Sequence, residues 1–144
     1  MAQAILLEHK GKTEEALRKL ESHEFGPRFE ALALMQKARI LEELAVDRCA
    51  QTYESAVQKY PNNAVVLLRA GVFALQRGDI EKAKGLLARS WNACATPEAG
   101  YYLGSINHGE GRRDEALEFF IQITVMEGDE GYWKKRVETE ARLG

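Results

Sequence analysis

The sequence predicts an all-α chain: a right-handed α-solenoid of about four stacked helix pairs, closed by a C-terminal capping helix. Three observations predict it. Apolar residues recur at three- and four-residue steps along the chain, and no segment alternates as a strand would. Small residues return at a nearly constant interval: Ala16, Cys49, Ala83 and Ala116 are 33, 34 and 33 residues apart. All three prolines fall at the junctions between apolar-periodic segments. A period in this range is the mark of a repeat architecture, in which each unit is one supersecondary element.

The elements follow in order. The first pair is expected over residues 2–10 and 13–23, parted at Gly11, with Glu14-Glu15-Ala16 opening the second helix. Pro27 after Gly26 starts a helix over 27–44, because proline suits the first helical turn. In this helix Leu34, Ala38 and Leu41 form an apolar seam. Asp47-Arg48-Cys49 opens the next, over 47–60, and Pro61-Asn62-Asn63 ends it. The third pair, 63–76 and 80–94, is divided by Arg77-Gly78-Asp79. A glycine there takes a left-handed turn at least cost, and the acid behind it favours a helix N-terminus. Thr96-Pro97 predicts an N-cap followed by proline, opening a helix over 97–109. Glu110-Gly111-Arg112 repeats the glycine turn before a helix over 113–127. A last helix, 131–142, begins with Tyr132-Trp133, expected to cover the open end of the final pair. The repeat units are then 1–26, 27–63, 64–96 and 97–130, with the cap at 131–144, all in one domain of 144 residues.

Composition narrows the function. Twenty basic against 22 acidic residues give a net charge of −2, which argues against a dedicated nucleic-acid or anionic-membrane binder. No apolar run approaches the roughly 18 residues of a membrane span. The first residues carry no cationic segment, and Glu8 ends their apolar stretch too early for a secretory leader. The reading is cytoplasmic, although a mature periplasmic chain would show the same pattern. Cys49 and Cys94 are too far apart to suggest a disulfide framework or a zinc site. His9, His23 and His108 fall in different units, so no metal or cofactor is expected. Ser105 and His108 stand i, i+3 on one helix, but no third group completes a nucleophile–base arrangement. Gly109-Glu110-Gly111 is a helix-ending turn, not a phosphate cradle. Lys134-Lys135-Arg136 is followed by Glu138 and Glu140, which makes it a solvated face. No enzyme emerges.

The repeat resembles the tetratricopeptide repeat, whose pattern is W-x2-L-G-x2-Y, then A-x3-F, then P, over 34 residues. Leu103-Gly104 and Ala116-x3-Phe120 carry it in the fourth unit. Ala70-Gly71 and Ala83-x3-Leu87 carry it in the third, Cys49-x3-Tyr53 and Pro61 in the second, and Ala16-x3-Leu20 in the first. The chain departs from the pattern at the motif tryptophan, where Leu67 and Gly100 stand, and at the tyrosine, replaced by Ala74 and Asn107. Gln36-Lys37 stands where the second unit should have Leu-Gly. The resemblance implies a groove, lined by the first helix of each pair, that holds peptides or helices of other proteins.

The third unit's first helix carries one charge, Arg69, in the run from Ala64 to Leu75. Leu67, Ala70, Gly71 and Ala74 take the packing positions, which leaves Val65, Leu68, Val72 and Leu75 for the groove, with Arg69 and Gln76 beside them. Leu34 and Leu41 extend the stripe in the second unit; Tyr101, Tyr102, Ser105 and His108 extend it in the fourth. A helix apolar all round is covered on every side. Either a partner segment with apolar side chains lies there, or these residues close the core of a tightly wound solenoid. Val65, Leu68, Val72, Glu98, Tyr101 and Ser105 stand where chaperone-binding relatives carry a carboxylate clamp, which excludes that mode. The expected function is non-catalytic protein binding, as scaffold, adaptor or chaperone-like holder. The alternatives are a self-associating structural subunit, exposing the end formed by residues 2–10, or the interaction part of a larger protein.

Overall fold

The computed structural model describes residues 2–128 and 131–143. Eight helices run through them: α1 (Ala2–Ser22), α2 (Pro27–Leu44), α3 (Val46–Lys59), α4 (Ala64–Gln76), α5 (Ile80–Ala93), α6 (Pro97–Gly109), α7 (Arg113–Glu127) and α8 (Tyr132–Leu143). No strand occurs among the described residues. From α2 onward each boundary falls within a residue or two of expectation. The fold is of the all-α, solenoid-forming class.

The turns form as their residues dictate. Gly78 and Gly111 hold positive φ, 83° and 80°, which a side chain would strain. Asn63 accepts hydrogen bonds from the Val65 and Val66 amides, Asp79 from Lys82, and Thr96 from Ala99, with Pro97 in the first turn of α6. Each bond satisfies an amide that the helix start leaves open.

Gly11 behaves otherwise. The break expected there is absent, and residues 2–22 form one helix. Unlike Gly78, Gly11 has no positive φ, and a Cβ added to it would meet nothing. A glycine inside a helix costs only about 1 kcal/mol, too little to stop one without a capping group and a packing reason.

The chain divides into two compact units, Met1–Pro61 and Asn62–Gly144. In the first, α2 packs against both α1 and α3. Its interior holds Leu17, Met35, Ala38, Leu41, Cys49, Tyr53 and Ala56. Cys49 is fully buried, and its Sγ donates to the Ala38 carbonyl at 3.2 Å, so packing accounts for it. Tyr53 donates to Glu42 at 3.2 Å. Ala38 and Leu41 are fully enclosed and Leu34 half-buried, which makes Leu34–Ala38–Leu41 the seam of α2. Leu41 therefore leaves the expected groove stripe, because the same seam draws it into the interior.

In the second unit α4 pairs with α5 and α6 with α7; α5 joins the pairs, and α8 packs on α6 and α7. The pairs close through glycine. A Cβ on Gly71 would lie 2.8 Å from Cγ of Leu87, and one on Gly104 would lie 2.9 Å from Cδ1 of Phe120. Gly100 sits against Trp91 and Ile123 in the same way. Trp91 also meets Phe119 edge-on, with ring centroids 5.2 Å apart, so it packs across to the next pair. The buried Ser90 hydroxyl donates to the Ala64 carbonyl at 2.8 Å, tying α5 to the start of α4.

At the C-terminal end, Glu127 accepts from the Trp133 and Lys134 amides at 3.0 and 3.2 Å, capping α8. Trp133 then lies on Tyr101, with ring centroids 5.0 Å apart, and reaches Tyr102 less closely, at 5.9 Å. Tyr132 meets Trp133 edge-on, with ring centroids 5.0 Å apart, but is itself 65% exposed, so Trp133 supplies the contact with the tyrosines of α6.

Glycine at position 104 is favoured by the ring of Phe120, which occupies the place a Cβ would take. Gly104→Ala is expected to destabilise the chain by about 1–3 kcal/mol through overpacking, despite alanine's better helix propensity. Gly104→Ala combined with Phe120→Leu should recover most of that loss. Chemical denaturation followed by circular dichroism measures both.

Candidate functional site

The expected groove residues divide into three groups. On α4, Val65, Arg69 and Gln76 are exposed and Val72 is half-buried; these four form one accessible face at positions i, i+4, i+7 and i+11. Leu75 is half-buried at its edge. Leu68 is a core residue, 6% exposed, within a cluster that includes Ala83, Leu87, Ala99 and Leu103. It cannot meet a partner without opening that cluster.

On α6, Ser105 is half-buried and His108 exposed, but Tyr101 is only 4% exposed. The reason is α8. Trp133 lies on Tyr101, and the Arg136 guanidinium stands 4.6 Å from the centre of the Tyr101 ring, a cation–π contact. The accessible tyrosine of α6 is Tyr102, half-buried and in line with Glu98 and Ser105. The pattern of α6 alone could not show which tyrosine the last helix would cover.

Two polar features shape this surface. Arg69 donates to both carboxylate oxygens of Glu98, at 2.9 and 3.4 Å, linking α4 to α6. Its guanidinium thus joins two helices instead of waiting for a partner. Lys84 donates to both oxygens of Glu110, at 3.3 and 3.0 Å, linking α5 to the end of α6. Both pairs are partly exposed, so each contributes little to stability and mainly sets side-chain direction.

Between these ties lies a cleft of about 350 Å³, lined by Leu75, Ile80, Ser105, Ile106, Gly109 and Glu110. It is the size of one or two side chains, and its walls are mostly aliphatic. Leu75 and Ser105 are the two expected groove residues that meet there. Ile80, Ile106 and Gly109 were missed, because they sit at a helix start, in the core face and at a helix end. The Ser105 hydroxyl is enclosed and makes no hydrogen bond, so no base activates it. Among the described residues no three His, Cys, Asp or Glu side chains gather as a metal ion would require. None of the helices is long and apolar enough to cross a membrane.

A second cleft, about 360 Å³, opens on the first unit between the end of α1 and α2, where Leu20, Phe25, Ala33 and Leu34 meet Glu21, Glu30 and Lys37. Leu34, half-buried, lines this cleft. The nearby Glu30 carboxylate accepts from Lys59, which is the main cause holding it below the usual carboxylate range, with the neighbouring Tyr60 adding to the effect. Lys59 is raised in return by its bond to Glu30. Tyr60 is raised first by desolvation and then by Glu30.

With the geometry described, the comparisons with known proteins have a frame. Residues 32–63, most of α2 with all of α3 and its following turn, match the family model for a tetratricopeptide repeat. The chain carries a tetratricopeptide repeat. The match falls on the unit whose first helix lacks the Leu-Gly pair, where the buried Ala38 and Leu41 share the interior with Cys49 and Tyr53. Solved structures share the fold, two of them as follows. "Crystal structure of MamA" superposes with a TM-score of 0.65 at 16% identity, over 82% of this chain and 70% of that one. "MamA MSR-1 C2" superposes with a TM-score of 0.61 at 24% identity, over 79% and 67%. At these identities the likeness is one of fold. No curated protein matches the chain. Tetratricopeptide and related helical repeats build interaction surfaces from the helix faces that stacking leaves open.

The Glu30–Lys59 contact gives a signed expectation. Glu30, with its lowered pKa, contributes above the ordinary carboxylate range, and its contribution is lost as pH falls through the lowered value. Lys59, raised, contributes below the ordinary lysine range, and its share is lost as pH rises through the raised value. In an NMR titration the Glu30 carboxyl should titrate below the other glutamates, and Lys59→Met should move it back up. An unshifted Glu30 in the parent chain would refute the contact.

Proposed function

We propose that the chain is a non-catalytic protein-interaction module, a scaffold, adaptor or chaperone-like holder, which binds a partner segment along α4 and α6. The carrying observation is the aliphatic cleft of Leu75, Ile80, Ser105, Ile106 and Gly109, flanked by the accessible face of Val65, Val72 and Gln76. The cleft accepts an apolar side chain of the partner, and Val65 and Val72 give the rest of the segment a dry surface. Burying one leucine-sized side chain contributes about 1.5–3 kcal/mol, enough to anchor an otherwise modest contact. Tyr102 and His108 supply polar atoms at the rim for orientation. Leu68 and Tyr101 act from beneath, holding the face in shape. Shape and apolar character select the partner, since both ionic groups nearest the cleft are already paired within the unit.

Gly109 provides the test, because a Cβ there meets no atom and its φ is not positive. Gly109→Phe should leave the helical spectrum and the melting behaviour intact while filling the cleft. A partner recovered by affinity capture with the parent chain, then titrated by calorimetry against both forms, should bind the variant roughly 10- to 100-fold more weakly, matching the loss of one buried side chain. Equal affinity for a folded variant would place the binding on another surface.

A further inference from the structure

The second helices of the units agree in what they bury, except for α1. Cys49, Ala83 and Ala116 share one repeat position and are 0%, 0% and 2% exposed. Ala56, Ser90 and Ile123 share the position seven residues on, at 0%, 1% and 0%. Their counterparts on α1, Ala16 and His23, are both exposed. Elsewhere this face is covered by the first helix of the unit. α4 fills the angle between α5 and α6: its Gly71 meets Leu87, its Ala64 carbonyl accepts from Ser90, and its Leu68 sits among Leu87, Ala99 and Leu103. α1 packs on α2 as α5 packs on α6. The corresponding angle in the first unit is the open cleft of about 360 Å³, lined by Leu20 and His23 on one side and Ala33 and Leu34 on the other.

The repeat register says which segment belongs there. Ala4, Leu7 and Gly11 stand 67 residues before Gly71, Ala74 and Gly78, and 100 residues before Gly104, Asn107 and Gly111. Each series holds a small residue for the close approach and a glycine for the turn. Residues 2–10 thus carry the register of a first helix, yet they run on into α1 without a turn. The continuous helix carries them along the axis of α1, away from Ala16 and Leu20. Gly11 makes a return inexpensive. Inside a helix glycine is the poorest residue after proline, whereas in a turn of positive φ, as at Gly78 and Gly111, it is the best.

We infer that residues 2–10 are a lid, which folds back at Gly11 onto the open side of α1 and closes the cleft between α1 and α2. In the closed form Gly11 takes a positive φ, Ala4 lies against Leu20 as Gly71 lies against Leu87, and Leu7 covers Ala16. His23 keeps its ring contact with Phe25, whose centroid is 4.9 Å away. In the unbroken form the cleft is open. The two forms exchange one turn of helix at Gly11 for burial of Ala16 and Leu20, and a ligand that prefers one form shifts the balance toward it. This inference is independent of the binding face on α4 and α6.

Disulfide trapping in the full chain tests it, in a Cys94→Ser background where the remaining Cys49 is fully buried. Ala4→Cys with Leu20→Cys places the two thiols about 24 Å apart along an unbroken helix and side by side in the closed form. Oxidised glutathione should link them within one chain, seen by mass and by mobility on a non-reducing gel. Gly11→Val, which resists positive φ, should slow the link about tenfold. Ala4→Cys with Arg18→Cys, on the far side of α1, should link far more slowly than the Leu20 pair. No link, a link only between two chains, or a link indifferent to Gly11→Val or to the choice of Leu20 over Arg18 overturns the inference. Should the Leu20→Cys chain fail to fold, spin labels at Gln3→Cys and Lys19→Cys decide. A short component of about 10 Å that Gly11→Val removes supports the lid, and a single separation of about 24 Å, the unbroken helix, overturns it.

Discussion

The second unit depends on one constraint: a glycine on one helix must face a large apolar side chain on its pair. Gly71 takes Leu87 and Gly104 takes Phe120, each at a distance that leaves no room for a methyl group. That approach brings the backbones of α4 and α5, and of α6 and α7, close enough to bury Val66, Leu67, Leu103 and Ile123. Interiors of this density tolerate neither voids nor extra atoms, so the contact sets each helix's rotation about its own axis. Rotation in turn decides which residues face outward. Everything that can meet a partner on α4 and α6 is what this contact leaves over.

The same logic explains how the surface is divided. On α4 the packing face takes Leu67, Ala70, Gly71 and Ala74, and the opposite side keeps Val65, Arg69, Val72 and Gln76. Leu68 lies between the two and goes to the core because α6 closes over it. On α6 the outcome depends on α8, which spends Trp133 and Arg136 on Tyr101 and leaves Tyr102 half-open. The cleft by Gly109 arises where three helix ends meet, with Lys84 and Glu110 holding two of them together.

Chain-local chemistry carried most of the architecture. The turns at Gly78 and Gly111, the caps at Asp79 and Thr96, and the starts at Pro27 and Pro97 are each settled within three or four residues. Their helices lie where the pattern places them. Gly11 misled for the same reason: it looks like the other two glycines in sequence, but no cap or packed neighbour makes use of it. The candidate site was legible only in part. Val65, Arg69, Val72, Leu75, Gln76, Ser105 and His108 keep some exposure, whereas Leu68, Tyr101 and Leu41 do not. Periodicity assigns residues to faces in steps of about 100°, and a residue at the border of a face can fall to either side.

The amino-acid sequence by itself determined an all-α chain, the period of its repeat, the ends of nearly every helix and the small residues at which pairs close. These follow from backbone geometry and side-chain size, which act over a few residues. The tertiary structure alone decided which tyrosine α8 covers, where a cleft opens, and that α7 shows large apolar side chains to solvent. Those depend on contacts between residues far apart in the chain, whose outcome is set by how several helices fit together, not by the pattern of any one of them.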